Sequence, residues 1–146
     1  MNIKEILKWF KKAVPEPTAE NACVQIGCHY EEVAEMAEAI GDEFNAIITL
    51  ANDYKSKGDF AMHFVENLKV KGNATGLKTE LLDSLCDQIV TAIGVAHMLG
   101  FDIEKALDEV NRSNWSKFEN GKPVFDENGK IKKGESYFKP DLSKFI

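Results

Sequence analysis

Apolar residues recur at helical spacing along most of the chain. At the N-terminus they repeat at i, i+3, i+4 and i+7 on one face, with lysines opposite: Ile3, Ile6, Leu7 and Phe10. The VPEPT stretch that follows ends this helix, and Thr18 is suited to cap the next one. Glycines at 41, 58, 72 and 100 then punctuate the pattern. It predicts further helices near residues 19–40, 43–56, 59–70, 78–99 and 102–115.

The pattern changes after Asn114. The stretch KPVFDENGKIKKG places Asn128-Gly129 between two short segments, which predicts a β-hairpin with a type I′ turn. The predicted fold is therefore all-α, a bundle of five to six helices with a short C-terminal β-hairpin. From its length the chain is expected to form one domain over residues 1–146, with an amphipathic helix at 1–13 and the hairpin and tail at 116–146.

Composition is that of an ordinary globular protein, with 44% apolar and 29% charged residues. The longest uncharged run, Gln88–Phe101, has 14 residues and is too short to span a bilayer. The N-terminus lacks the features of a signal peptide, and the three cysteines include no CxxC pair. These features predict a cytoplasmic protein with reduced thiols and no membrane partner.

Charge is unevenly distributed along the chain. Residues 1–13 carry +3, residues 14–110 carry −12, and residues 111–146 carry +3. This distribution fits either solvated faces or a cation-binding core whose basic flanks face an anionic ligand. Nucleic acid is not an expected partner, because the chain has no dominant basic field.

The acidic stretch HYEEVAEMAE lies on the predicted helix at 19–40. At 100° per residue its carboxylates share one side of the helix, opposite a mainly apolar side: Glu31, Glu32, Glu35 and Glu38. Taken alone, this pattern is explained by an amphipathic helix with an acidic outer face.

The predicted helix at 78–99 is different, because apolar residues cover most of its circumference and it is expected to be buried. Three acids lie on one narrow face of it: Glu80, Asp83 and Asp87. Carboxylates on a buried helix need partners, and Lys78 is the only cation between Lys71 and Lys105. A divalent metal would satisfy the acids of both helices together.

Carboxylate spacing suits a hard ion. Glu32 and Glu35 form one i, i+3 pair, and Glu80 and Asp83 form another, so each pair projects from one face of its helix. All-oxygen ligation selects Mg²⁺ or Mn²⁺. A di-iron bundle, the rival metal site, requires Glu-x-x-His twice, and that motif does not occur in this chain.

The two acidic motifs resemble a known signature. Glu31-Glu32-x-x-Glu35 followed by Glu80-x-x-Asp83 is similar to the EExxE…ExxD pattern of the all-α nucleoside triphosphate pyrophosphohydrolases, which include the MazG-like proteins, dimeric dUTPases and phosphoribosyl-ATP pyrophosphohydrolases. Asn114-Trp115-Ser116-Lys117-Phe118 resembles the Asn-x-x-Lys-Phe element of many MazG-like proteins. The resemblance covers roughly residues 20 to 142, and the tail looks like that of small single-domain members from bacteria and phages.

The resemblance implies hydrolysis of a (deoxy)nucleoside triphosphate to the monophosphate and pyrophosphate. Two or more Mg²⁺ or Mn²⁺ ions would be held by the two carboxylate pairs, Glu32, Glu35, Glu80 and Asp83. Glu31 would orient or deprotonate the attacking water, and Asp87 would be a further or supporting group. Lys117 would contact the phosphates and Asn114 the sugar or phosphate, with Gln25 a weaker candidate for substrate contact.

Other interpretations remain open at this point. The first interpretation has the enzyme hydrolyse a (d)NTP, such as a purine dNTP, to control the nucleotide pool. One alternative is an enzyme that acts on a substrate of its relatives, dUTP or phosphoribosyl-ATP. Another is a non-catalytic acidic helical binding module. The resemblance also implies a homodimer or homotetramer.

Overall fold

Six α-helices make up most of the structure, a computed structural model that describes residues 3–70 and 75–146. Their bounds are α1 Ile3–Ala13, α2 Ala19–Ile40, α3 Asn45–Lys55, α4 Asp59–Lys69, α5 Thr75–Met98 and α6 Ile103–Trp115. One turn of 3₁₀-helix follows at Ser143–Phe145. The prediction of an all-α fold is confirmed, and each predicted helix is present within a few residues of its expected ends.

Local capping explains where α2 begins and ends. The Thr18 hydroxyl accepts a hydrogen bond from the backbone N–H of Asn21 at 3.1 Å, while the Asn21 side chain accepts one from the Thr18 N–H at 2.9 Å. This reciprocal pair is a capping box. At the other end Gly41 takes φ 83°, and its N–H satisfies carbonyls of the last turn. The 22-residue helix that carries the first acidic motif is thus fixed at both ends.

The described chain divides into two compact units. The first comprises Met1–Pro15, Thr75–Val124 and Ile131–Ile146, and the second comprises Glu16–Ala74 and Phe125–Lys130. Helices α1, α5 and α6 therefore belong to the first unit, and α2, α3 and α4 to the second. The expectation of one domain over the whole chain stays a prediction.

In the second unit, α2 packs closely on α3 and also contacts α4. A small core lies between them, formed by Cys23, Ala61 and Val65. The close approach occurs at Gly27, where a Cβ atom would lie 2.7 Å from the carbonyl oxygen of Ala51 and 2.7 Å from the backbone nitrogen of Lys55. Both atoms belong to α3, so only glycine fits at this crossing.

Gly27→Ala is therefore expected to destabilise the protein by about 1–3 kcal/mol, the usual cost of overpacking a close contact. Gly76 in α5 is the matched control, because an added Cβ there meets nothing within 4 Å. Gly76→Ala should be neutral or stabilising by up to about 1 kcal/mol. Urea unfolding of the two variants measures the difference, and equal stabilities would mean that α2 and α3 do not touch at Gly27.

The first unit has its core where α1 meets the end of α6. Trp9, Ala13 and Phe118 are buried there, and the Trp9 and Phe118 rings stack with centroids 5.6 Å apart. The indole N–H of Trp9 donates to the backbone carbonyl of Asn114 at 2.9 Å. The amphipathic N-terminal helix thus uses its aromatic face to hold the segment that follows α6.

The predicted C-terminal β-hairpin is not seen, since no strand occurs in the described residues and the C-terminal region has only isolated bridge residues, among them Glu119 paired with Lys122. A turn does form at Asn128-Gly129, where Gly129 has φ 82°. Within the turn, the Asp126 carboxylate accepts hydrogen bonds from the backbone N–H groups of Asn128 and Lys130, each at 2.9 Å. The backbone N–H of Asp126 also donates to the Lys130 carbonyl at 2.9 Å, so the turn is closed by side-chain and backbone hydrogen bonds but does not extend into strands within the described part of the chain.

Side chains of α6 hold the C-terminal segment. Ser113 donates to the carbonyl of Phe138 at 2.8 Å, and the Phe138 N–H donates to the Ser116 hydroxyl at 3.1 Å. The buried Glu109 carboxylate accepts two hydrogen bonds from Arg112 and one from the backbone N–H of Asp141. The tail is therefore ordered by polar contacts rather than by a sheet.

Glu109 is expected to make stability depend on acid pH. The hydrogen bonds from Arg112 and from the Asp141 N–H lower the pKa of the Glu109 carboxyl from 4.5 to about 2. A carboxyl whose pKa is lower in the folded state stabilises the folded protein at any pH above its unfolded-state pKa. The contribution of Glu109 to the free energy of unfolding is therefore complete above about pH 4.5 and is lost as the pH falls toward about 2. Glu109→Gln should flatten this part of the profile, because the amide does not titrate. Unfolding measured across this pH range checks the assignment, and a Glu109→Gln profile that followed the wild type would contradict it.

The prediction that α5 is buried is wrong for the single chain. Its apolar side chains are largely exposed, for example Leu82 at 63%, Val90 at 66% and Met98 at 82%, and only Ala96 is buried. Apolar periodicity shows that a helix favours burial, but it does not show what covers the helix. No single helix in the described part is long and apolar enough to cross a membrane, and α5 and α6 meet that requirement only as a bent pair.

Candidate functional site

Helix α2 presents the first acidic motif as three carboxylates in different surroundings. Glu32 and Glu35 are exposed, one turn apart on a continuous helix, as the i, i+3 spacing predicts. Glu31 is partly buried and lies beside the packed side of α2 that contains Ala34. The acidic residues therefore do not form one uniform solvated face.

Glu31 bridges two lysines. One carboxylate oxygen is 2.8 Å from the Nζ of Lys55 on α3, and the other is 2.7 Å from the Nζ of Lys130 in the turn after Asp126. The side chains of Glu31 and Lys55 are about one-fifth exposed, and that of Lys130 is 43% exposed. All three residues belong to the second unit, so the ion-pair triad is a feature of that unit alone.

The two ammonium groups keep Glu31 ionised. Partial burial raises the pKa of the Glu31 carboxyl, but hydrogen bonds and charges from Lys130 and Lys55 outweigh that effect and hold the pKa below its ordinary value. Each carboxylate oxygen accepts one hydrogen bond from a lysine and keeps a further lone pair that could accept one from water. The two lysines therefore leave room for the predicted contact of Glu31 with water, but they make its carboxylate a weaker base.

A polar cleft of about 440 Å³ opens next to this triad. Its lining includes Lys55 and Lys130 together with amide and hydroxyl side chains; the full set is Val24, Asn52, Lys55, Ser56, Asp126, Asn128 and Lys130. Every lining residue belongs to the second unit. The cleft offers donors to a polar or anionic ligand of modest size.

The second acidic motif lies on α5 in the first unit. Glu80, Asp83 and Asp87 are all exposed, on the helix face expected from their spacing. Because α5 is not buried in the single chain, its acids need no metal to compensate for lost solvation. Burial of these acids therefore gives no reason for a bound metal, whereas their helical spacing and the resemblance still favour one.

Two of the three predicted substrate contacts lie outside the helices that carry the acidic motifs. Asn114 and Lys117 are half-buried near the end of α6, and the Nζ of Lys117 is 5.9 Å from the centroid of the Trp9 ring. Gln25 is exposed on α2. Asn114 and Lys117 thus share the first unit with the α5 acids, while Gln25 shares the second unit with Glu31.

Within either unit, the described residues contain no group of three or more acidic, histidine or cysteine side chains arranged to hold a metal ion. Each motif does present two exposed carboxylates one helical turn apart, Glu32 with Glu35 and Glu80 with Asp83. Such a pair supplies half of an all-oxygen ligand set. The donor chemistry therefore fits Mg²⁺ or Mn²⁺, and the joining of the two halves stays a prediction.

Lys55 and Lys130 are the residues that sequence reasoning missed. They lie 24 and 99 positions from Glu31, so no local spacing rule connects them with the motif. Lys55 was visible only as the last basic residue of a predicted helix, and Lys130 as one of several tail lysines. Their meeting at Glu31 depends on the packing of α2 on α3 and on the turn at Asn128-Gly129.

Comparison of this chain with protein-family models, with curated proteins and with solved structures gives no match.

Proposed function

We propose that the protein is a nucleoside triphosphate pyrophosphohydrolase that uses Mg²⁺ or Mn²⁺. The observation that carries this proposal is the placement of both halves of the EExxE…ExxD pattern on continuous helices, α2 and α5, with each carboxylate pair exposed and one turn apart. The resemblance of the Asn114–Phe118 element to that of MazG-like proteins supports the same function.

The proposed chemistry requires positioning and charge neutralisation more than covalent catalysis. Glu32, Glu35, Glu80 and Asp83 would hold the metal, with Asp87 as a further group. Bound Mg²⁺ or Mn²⁺ supplies neutralisation of phosphate oxygens and a more acidic water. Of the chain's own residues, the ionised Glu31 would orient the water and take its proton. Lys117, Asn114 and Gln25 would position the nucleotide.

A nucleotide panel tests this function. Purified protein is mixed with each common NTP and dNTP, with dUTP and with phosphoribosyl-ATP, in the presence of Mg²⁺ or Mn²⁺, and the products are identified by chromatography. Equal amounts of monophosphate and pyrophosphate from at least one substrate support the proposal, and the panel also separates a (d)NTP from the relatives' substrates. No hydrolysis of any nucleotide would favour the acidic binding module instead.

We also propose that a second copy of the chain covers α5, as a homodimer or homotetramer. The helix is 24 residues long, or roughly 36 Å at 1.5 Å per residue, and its apolar side chains are exposed along that length. A contiguous apolar patch of this kind is typical of an interface. The uncharged run Gln88–Phe101 offers no charge complement to a polar partner, whereas an identical apolar helix matches it.

Val90→Glu is expected to break this assembly, because it places an unpaired charge in an apolar interface. The dissociation constant should rise on the order of 100-fold, a loss of about 2.7 kcal/mol. Leu50→Glu on α3, where the side chain is 46% exposed, is the matched control and should leave the assembly intact. Sedimentation equilibrium measures both, and a monomeric wild type at high micromolar concentration would contradict the proposal.

A further inference from the structure

The Glu31 triad has the geometry of an occupied anion site. Two ammonium groups, from Lys55 and Lys130, converge on the two oxygens of one carboxylate at 2.8 and 2.7 Å. A phosphate group could bind between the same two donors, because it also offers negatively charged oxygen acceptors. It has more oxygens and more charge than a carboxylate. The side chain of Glu31 thus holds the position that a phosphate oxygen pair would take.

The surrounding cleft extends this pattern of donors. Asn52 and Ser56 lie on the same side of α3 as Lys55, one turn before it and one residue after it, and Asn128 lies in the turn that carries Lys130. The volume of about 440 Å³ admits a pyrophosphate or the phosphate end of a nucleotide. The wall is thus mostly polar and basic.

Asp126, the acidic residue that lines the cleft, stabilises the turn at Asn128-Gly129. The Asp126 carboxylate accepts the backbone N–H groups of Asn128 and Lys130, which fixes the turn and aims the Lys130 side chain. With Glu31 in place, the two lysines and two acids leave the cleft with no net charge. If Glu31 turns outward, the two lysines exceed the remaining acid by one charge.

We propose that Lys55 and Lys130 form a phosphate-binding site in this cleft, and that Glu31 occupies it as a competing internal anion until a phosphate group displaces it. The ligand class is a phosphate-bearing anion, either the phosphates of the nucleotide or the pyrophosphate released. In naming that ligand the inference rests on the proposed function, although the site itself is independent of turnover. Side-chain rotation is fast enough to permit the exchange.

Binding of pyrophosphate without metal tests the site. Isothermal titration calorimetry with pyrophosphate is run on the intact protein and on Lys55→Met and Lys130→Met, with inorganic phosphate and a phosphate-free nucleoside as further titrants. Each lysine variant is expected to weaken pyrophosphate binding about tenfold or more, as for a lost charge-assisted hydrogen bond. Glu31→Gln is expected to tighten it on the order of tenfold, because the internal competitor is gone. Lys69→Met on α4 is the matched control, because Lys69 is not among the described residues that line the cleft and its Nζ donates to the Pro17 carbonyl in the same unit.

Replacing one lysine removes one of the two ion-pair partners of Glu31 and could destabilise the fold. A folding defect must therefore be separated from a binding defect. The double variant Glu31→Gln/Lys55→Met removes the carboxylate together with one lysine and leaves Lys130, whose side chain is 43% exposed to solvent. It should fold as the wild type does and still bind weakly. Equal pyrophosphate affinity in the wild type and all variants, or no binding at millimolar pyrophosphate, would overturn the inference. Lysine-dependent binding together with inactivity in the nucleotide panel would reject the proposed function and leave this site standing.

Discussion

Replacing Glu80 with glutamine is expected to reduce metal-dependent pyrophosphate release on the order of 10²–10³-fold in kcat. The carboxylate is proposed to hold a metal that stabilises the charge developing on the phosphate oxygens, and removing one such electrostatic contribution carries a cost of this size. The amide keeps the shape of the side chain and removes its charge. Because Glu80 is exposed on α5, the substitution should leave the helical fold intact, as circular dichroism would show.

Glu38→Gln is the control for that experiment. Glu38 is also an exposed glutamate, on α2, and it lies outside the EExxE…ExxD pattern. The two variants therefore lose the same charge at different places. If Glu80→Gln and Glu38→Gln both retained wild-type kcat, the α5 motif would have no part in the reaction.

Glu31→Gln is expected to lower turnover by a factor on the order of 10²–10⁴, which is the usual contribution of a positioned base. In contrast to Glu80→Gln, it should also lower KM, since Lys55 and Lys130 would no longer be neutralised by the carboxylate and would be available to the substrate's phosphates. The split between kcat and KM is thus the diagnostic feature. Steady-state kinetics at fixed ionic strength measures it.

Either of two results would revise the role of Glu31. A near wild-type kcat would assign the base to another group. A reduced kcat with an unchanged KM would support the base but would deny that the two lysines serve the substrate. Both results are distinguishable from misfolding by circular dichroism, because the amide oxygen can still accept a hydrogen bond from Lys55.

The helices were predictable because their signals are local. Thr18 and Asn21 make a capping box, and Gly41 closes α2 in the left-handed conformation, so short-range sequence sets both ends. The Asn128-Gly129 pair correctly indicates a turn, but it could not show whether strands extend from that turn. The turn forms, with the Asp126 N–H donating to the Lys130 carbonyl across it, but no strands extend from it among the described residues. Ser113 and Ser116 hold the tail by hydrogen bonds to Phe138, which lies 25 and 22 positions away.

The site was only partly predictable for the same reason. Positions of Glu32, Glu35, Glu80 and Asp83 follow from helix periodicity, which is local. The surroundings of Glu31 do not, because Lys130 lies 99 positions away in the sequence. The exposure of α5 in the single chain was also not predictable from the sequence. Its apolar character predicts that the helix is covered but does not identify what covers it.

The proposed function requires α2 and α5 both to contribute ligands to one divalent metal ion, and Mn²⁺ binding measured by electron paramagnetic resonance tests this requirement most directly. The free Mn²⁺ signal is followed during titration of the wild type, Glu32→Gln, Glu80→Gln and the control Glu38→Gln, without nucleotide. We predict that the wild type and the control bind Mn²⁺ and that substitution on either helix weakens binding by at least about tenfold, because each removes a ligand from the same ion. Wild-type Mn²⁺ affinity in either Glu32→Gln or Glu80→Gln would contradict a shared site.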